Sequence, residues 1–291
     1  MDGSQSAPTT IPCRLCGGPS TLVFRKLVLG HHSVGYYRCG SCRSLQTEMP
    51  HWLDEAYAIP GVHIDVGCAS RTLKNWAGLS TLLGRLKLPK EALAFDFGAG
   101  SGLLGRLMRD IGYNFHSHDK YARPSFTSYN NFDELPATKP QLITAFEVFE
   151  HLPEPKTDLE QLLGLRAPLI VFTTWFYSDQ GEDWIYLVAE CGQHVFFYSE
   201  QAMRELACTN GYELRSSAFF HILSRPEAFD KDQRRVLEEF PVHGATWASA
   251  GTADLLASIW LGNSYIDADF EVARQRFSTE LEASTRHRHR P

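Results

Sequence analysis

Residues 95–108 read FDFGAGSGLLGRLM, an apolar strand that runs into Asp96-x-Gly98-x-Gly100-x-Gly102 and then directly into helical periodicity. A strand that turns at once into a helix beside a bound ligand needs positive φ and a backbone without Cβ atoms in the way, and glycine supplies both. The helix opening near Leu103 presents unpaired N–H groups at its start. The same glycine spacing serves dinucleotide sites, so the acidic residues decide between ligands. Asp96 lies on the strand itself, where a carboxylate repels a pyrophosphate but accepts hydrogen bonds from an amino-acid ammonium. Asp119 closes the next apolar segment, 113–118, where an acidic residue accepts from ribose hydroxyls.

A ligand with a ribose, an ammonium and no phosphate is S-adenosylmethionine. Its candidate contacts are Asp96, Gly98, Ala99, Gly100, Gly102 and Asp119, with Glu147 further along the chain. In these residues the chain resembles the class I S-adenosylmethionine-dependent methyltransferases over roughly 93–224. The resemblance implies an α/β fold with a doubly wound, Rossmann-like sheet and places adenine contact near 132–135. The hydrophobic periodicity agrees. Segments 92–97, 114–118, 142–146 and 168–173 read as strands, and 71–88, 103–111, 159–165 and 199–209 as helices. Segments 212–216 and 218–223 form a closing antiparallel hairpin, and 62–66 is a short extended piece. Beyond Pro226 the pattern is helical, with an apolar stretch at 255–261.

At 291 residues with 43% hydrophobic content, the chain has room for one α/β domain and a small appendage. No window approaches the length of a membrane span, and the polar start MDGSQSAPTT is unlike a secretory signal. A cytoplasmic location is expected. The net charge of −6 and a pI near 6.1 disfavour a broad nucleic-acid footprint.

Four of the seven cysteines form Cys13-x-x-Cys16 and Cys39-x-x-Cys42, with 22 residues between the pairs. Two such knuckles bring four thiolates to one tetrahedral ion, with Gly17 and Gly40 expected to supply the turns. The strand patterns at 21–27 and 33–38 between them suit a zinc ribbon. Disulfides are the competing reading, which a reducing compartment disfavours. A four-thiolate site has no open position, so its zinc folds the module and does no chemistry. Cys68, Cys191 and Cys208 read as packed thiols. The chain then divides into a ribbon with a disordered start (1–58), a methyltransferase domain (59–225) and a helical extension with a disordered basic tail (226–291). Trp52 and Tyr57 lead out of the ribbon and are available to dock it.

The second informative stretch is 146–155, FEVFEHLPEP. In an open α/β sheet, ligands sit beyond the carboxyl ends of the strands, where Glu147, Glu150 and His151 fall. Their spacing puts all three on one face of a helical turn, a divalent-metal half-site. His194 lies downstream in GQHVFFYS. This pair of segments resembles the E-x-x-E-H element and later histidine of metal-assisted O-methyltransferases, such as the small-RNA 2′-O-methyltransferases and the ubiquinone-pathway enzymes. The resemblance implies Glu147, Glu150, His151 and His194 as ligands of a second divalent metal that lowers the pKa of an acceptor hydroxyl. The metal-free reading stays open, with a histidine that packs, positions substrate or acts as a base. Trp175, Phe176, Tyr177, Trp184 and Tyr186 follow the last parallel strand and suit sugars or planar rings, or core packing. Asp65 and Arg71 form either a loop-closing ion pair or a lid.

Tyr37, Cys39, Cys42, Leu45 to Glu48 and Trp52 to Tyr57, with TAFEVFEHL downstream, also resemble a group of bacterial ribbon-bearing methyltransferases. Nucleotide-sugar C-methyltransferases are related to that group. The expected function is methyl transfer from S-adenosylmethionine to a hydroxyl, less readily to carbon or nitrogen, of a small-molecule or glycosidic acceptor. The rival expectations are a nucleic-acid or protein methyltransferase with a ribbon-selected substrate, and a non-catalytic scaffold.

Overall fold

The computed structural model describes residues 8–58, 65–217, 220–261, 265 and 268–272. In chain order, β1 (Thr10–Pro12), β2 (Pro19–Val28), β3 (His32–Cys39) and β4 (Leu45–Thr47) make the N-terminal ribbon, which α1 (Leu53–Ala58) leaves. Then come α2 (Cys68–Leu86), β5 (Ala94–Phe97), α3 (Leu103–Asp110), β6 (Phe115–His118), β7 (Leu142–Phe146), α4 (Pro155–Gly164) and β8 (Leu169–Thr173). The chain continues through β9 (Phe196–Phe197), α5 (Glu200–Thr209), β10 (Glu213–Ser216), β11 (His221–Ser224) and α6 (Lys231–Leu261).

The larger sheet has the order β10-β11-β8-β7-β5-β6. Its four strands β6, β5, β7 and β8 are parallel, and β11 and β10 run antiparallel at one edge. The chain moves from β5 outward to β6 and then returns to β7 on the other side of β5. This reversal opens a crevice at the carboxyl ends of β5 and β7, where α/β folds bind ligands.

Period-two burial fixes the layers. Leu169 and Val171 of β8 face the layer that contains Trp76, Leu79, Met108 and Phe240, while Ile170 and Phe172 face Leu159, Leu162, Ala202 and Met203. These four β8 side chains are fully buried, and each contributes ~1.5–3 kcal/mol of hydrophobic stabilisation. The extension expected beyond Pro226 is α6, which lies along α2. Gln233 Nε2 donates to Leu86 O at 2.7 Å, and the Arg85 guanidinium sits 3.8 Å above the Trp247 ring.

Several expected boundaries move for local reasons. The helix expected at 71–88 begins at Cys68 and stops at Leu86, because Lys87 turns left-handed (φ 54°) and caps Leu83 and Gly84. The helix expected at 159–165 begins at Pro155, since proline is well suited to a first helical position. The described part of the expected 62–66 segment, Asp65 and Val66, lies outside any strand. Cys208 is exposed at the end of α5 rather than packed, and Cys68 and Cys191 are partly buried. Residues 1–7, 59–64, 218–219 and the basic tail at 286–290 lie outside the described residues.

The ribbon sheet is completed from elsewhere in the chain. Strand β9 pairs antiparallel with β4, Leu45 opposite Phe197 and Gln46 opposite Phe196. Arg14, inside the first cysteine knuckle, donates to Pro153 O at 3.0 Å and Val195 O at 2.5 Å. Among the described residues no helix is long and apolar enough to cross a membrane.

Candidate active site

The glycine loop leaves β5 with Gly98, Gly100 and Gly102 all at positive φ. Two of these glycines answer to the protein's own packing. A Cβ on Gly98 would stand 2.6 Å from the Val148 side chain, and one on Gly102 would stand 2.3 Å from Thr127 Oγ1. A Cβ on Gly100 would meet nothing within 4 Å among the described residues. Gly100 instead turns its N–H to Asp119 Oδ2 at 2.8 Å, and Asp119 Oδ1 accepts from the N–H groups of Tyr121 and Ala122 at 2.8 and 2.6 Å. Asp119 therefore shapes the loop itself. An ionised carboxylate has about four lone-pair sites, which leaves capacity for a ligand hydroxyl. The neighbouring Ala99 N–H donates to His118 O.

Asp96 lies on β5 in register with Thr144 of β7, whose hydroxyl donates to Asp96 Oδ1 at 2.6 Å. Burial pushes the Asp96 carboxyl up to about 7, and the Asp119 charge adds to the shift. A buried carboxylate with one hydroxyl donor is undercompensated, and an arriving cation would restore its charged form. That charge fits the ammonium of S-adenosylmethionine. Thr144 shows no sequence signal by itself; only strand register places it against Asp96. Phe132, in the region expected to contact adenine, stacks on His116 with ring centroids 4.8 Å apart.

Beyond β7 the backbone departs from the expected helical face. Glu147 adopts a left-handed conformation (φ 54°), its N–H donating to Thr173 Oγ1 at 2.9 Å, and only Phe149–His151 form a short 3₁₀ turn. The carboxylate of Glu147 consequently stands apart from the group made by Glu150, His151 and His194, whose ligand-capable atoms lie within 4.8 Å of one another. Tyr186 joins the two carboxylates. Its hydroxyl donates to Glu150 Oε1 at 2.6 Å and approaches Glu147 Oε2 at 3.4 Å.

Glu150 is fully buried, and its Oε2 makes no hydrogen bond among the described residues, although the Thr174 hydroxyl is close enough to the carboxylate to favour its charged form. Burial, followed by the mutual repulsion of the two glutamates, raises Glu147 to about 7, and burial raises Glu150 to about 7. Burial also lowers His151 to about 3 and lowers His194, so both imidazoles are neutral. His194 Nδ1 lies 2.7 Å from the Tyr186 carbonyl oxygen, which can only accept. The proton therefore sits on Nδ1 and the free lone pair on Nε2.

Aromatic rings bound this group. Tyr57 from α1 lies 3.4 Å from His151 Nδ1 through its hydroxyl and stacks on Tyr121 with centroids 4.3 Å apart. Trp175, 53% exposed, stacks on Tyr186 at 5.1 Å. Trp52 is buried and donates from Nε1 to Gly192 O at 2.8 Å. Arg71 forms a paired-oxygen ion pair with Asp65, at 2.8 and 2.5 Å. Tyr186 was visible in the sequence as one of several aromatics, but its role as the connecting hydroxyl was not.

The four knuckle cysteines also converge. Cys13 Sγ is 3.7 Å from Cys42 Sγ, Cys16 Sγ is 3.5 Å from Cys39 Sγ, and all four sulfurs lie within 4.8 Å of one another. Zn–S bonds of about 2.3 Å in a tetrahedron place sulfurs about 3.8 Å apart, so this donor set fits zinc. In the first knuckle Gly17 takes the positive φ, as expected. In the second it is Arg43 (φ 63°) rather than Gly40, whose N–H goes to Pro19 O.

Residues 70–217, about half of the chain, match the family model described as a methyltransferase domain, and the chain belongs to this family as an S-adenosylmethionine-dependent class I methyltransferase. Solved structures similar to it include magnesium protoporphyrin IX methyltransferase from Synechocystis PCC 6803 with bound SAH, at 14% identity and a TM-score of 0.43, covering 60% of this chain and 94% of that one. Another is 1,6-didemethyltoxoflavin-N1-methyltransferase from Burkholderia thailandensis, at 12% identity and a TM-score of 0.45, covering 66% and 93%. The small RNA methyltransferase HEN1 aligns at 17% identity and a TM-score of 0.36, covering 53% and 25%. No curated protein matches the chain.

Proposed function

We propose that the enzyme methylates a hydroxyl of a small-molecule or sugar-containing acceptor, with Glu150 as the group that takes the hydroxyl proton. The observation that carries this reading is Glu150 Oε2, a carboxylate oxygen that is buried and makes no hydrogen bond among the described residues. Leaving such an atom unpaired costs about 1–3 kcal/mol or more, a cost a bound hydroxyl would relieve. A carboxyl near 7 is also matched to proton transfer at neutral pH. Tyr186 orients Glu150, and burial keeps the Glu150 pKa raised. In this reading His194 Nε2 and the face of Trp175 position the acceptor. Asp96, the 98–102 loop and Asp119 hold the cofactor, which supplies an electrophilic methyl on a sulfonium.

A structural metal belongs to the same proposal, and a second is its rival. Cys13, Cys16, Cys39 and Cys42 hold a structural zinc. Glu150, His151 and His194 are close enough to hold a divalent cation, with Glu147 outside the ligand group, and this is the rival account of how the hydroxyl is activated. The acidic balance of the chain disfavours a nucleic-acid acceptor.

An acceptor screen that follows S-adenosylhomocysteine formation tests the proposal. Turnover on hydroxylated acceptors that survives chelator treatment but is lost in Glu150→Gln supports the base. Turnover that is lost on chelation and restored by a divalent cation supports the metal. Transfer only to nitrogen or carbon acceptors overturns the hydroxyl assignment.

A further inference from the structure

A third group of metal-capable side chains lies on the outside of the ribbon. His31 and His32 sit at the turn joining β2 to β3, where Leu29 and Gly30 both take positive φ, and their rings are 4.2 Å apart. Glu55 projects towards them from α1. His31 Nε2 is 3.3 Å from Glu55 Oε1, and His32 Nε2 is 3.0 Å from Glu55 Oε2. The ligand atoms of the three residues lie within 4.8 Å of one another.

We propose that His31, His32 and Glu55 bind a borderline divalent cation such as Zn²⁺ in an exchangeable site that braces α1 against the β2–β3 turn. Nitrogen and oxygen ligands at about 2.0–2.2 Å from a tetrahedral ion are about 3.3–3.5 Å apart, close to the two N···O approaches, which reach different oxygens of Glu55. The full set within 4.8 Å must draw in to close on an ion. The tautomer is already set for one ligand. His31 Nδ1 is 2.8 Å from the Leu29 carbonyl oxygen, which can only accept, so Nδ1 carries a proton and Nε2, which faces Glu55, is the nitrogen available to a metal. The His51 ring meets His32 edge-on at 5.3 Å and supports its orientation.

The side chains of His31, His32 and Glu55 are 56%, 22% and 50% exposed. Three protein ligands on an open surface leave a coordination position for water, unlike the closed cysteine site. The location also gives the site a consequence. Glu55 and Tyr57 share the short α1, and Tyr57 touches His151 and stacks on Tyr121. A cation on the outer face would steady the helix that supplies one wall of the candidate active site.

The competing account is a plain surface ion pair, worth about 0–1 kcal/mol and indifferent to metals. The two separate by histidine footprinting. Full-length protein carrying its cysteine-bound metal is treated with diethyl pyrocarbonate with and without added Zn²⁺, and modification is read peptide by peptide. The expected result is zinc protection of His31 and His32 in the wild type, at a zinc concentration about 10-fold or more below that needed in Glu55→Gln. A His287→Gln, His289→Gln variant, which removes the imidazoles of the basic tail, should protect as the wild type does. Equal modification with and without zinc overturns the site. So does protection that persists unchanged in Glu55→Gln or disappears in the tail variant.

Discussion

The four-cysteine group and the Glu150–His151–His194 group both gather metal-capable atoms into a few ångströms, yet they are finished to different degrees. The cysteines supply four like ligands at the spacing of a tetrahedron, leaving no place for a substrate. The second group supplies unlike donors and includes a buried carboxylate oxygen that makes no hydrogen bond among the described residues. A complete donor set is suited to holding a fold together. An incomplete one is suited to chemistry, because the missing partner can be the reactant.

This contrast can be broken most forcefully at the cysteines. Replacing Cys39 or Cys42 with serine should abolish cooperative unfolding and S-adenosylmethionine binding together, since structural zinc sites contribute about 10 kcal/mol or more to folding. Metal quantification with thermal denaturation checks this; a folded, metal-free variant would remove the zinc proposal. The next largest effect is catalytic. Glu150→Gln should lower kcat about 100- to 10,000-fold while the cofactor Kd, measured by calorimetry, stays within about 2-fold.

Arg14→Met sharpens the link between the two groups. Burial lowers the Arg14 pKa to about 10, and its removal leaves the Val195 and Pro153 carbonyls without this donor. A stability loss of about 2–4 kcal/mol is expected in denaturant melts. Cofactor affinity provides another comparison: Asp96→Ala should weaken binding by about 1.5–3 kcal/mol without changing the metal content.

The remaining effect is in the pH dependence of stability. Asp96, Glu147 and Glu150 have folded pKa values near 7, above those of the unfolded chain. The folded state therefore holds more protons between about pH 4 and 7, and stability should fall as pH rises through that window. Glu147 and Glu150 titrate as a pair, so Glu150→Gln should make the slope shallower. A denaturation midpoint that rises over this range would contradict their burial as acids.

The glycine loop was legible because its constraints are local: strand, turn and helix occupy consecutive residues, and the Asp96 and Asp119 positions follow from the period of the sheet. The knuckles were legible for the same reason, except that Arg43 took the left-handed turn expected of Gly40. The 146–151 segment was misread because spacing alone presumes a helix. Glu147 instead spends its backbone N–H on Thr173, a neighbour visible only once β7 and β8 are side by side. Thr144 and Tyr186 were hidden by the same dependence on register and tertiary approach. The pairing of β9 with β4 had no local pattern to announce it, since two phenylalanines read equally well as core.

That pairing sets an order of events as the chain is made. Thr47 and Val195 are 148 residues apart, yet they are hydrogen-bonded at the seam between ribbon and sheet. The ribbon emerges before 196–197 and can gather its cysteines, but its sheet waits with an open edge until that strand arrives. Such distant contacts form slowly because their loop must close before they give any return. The last strand to join also brings His194 beside His151, so completion of the ribbon and assembly of the acid–imidazole group become a single late step in maturation.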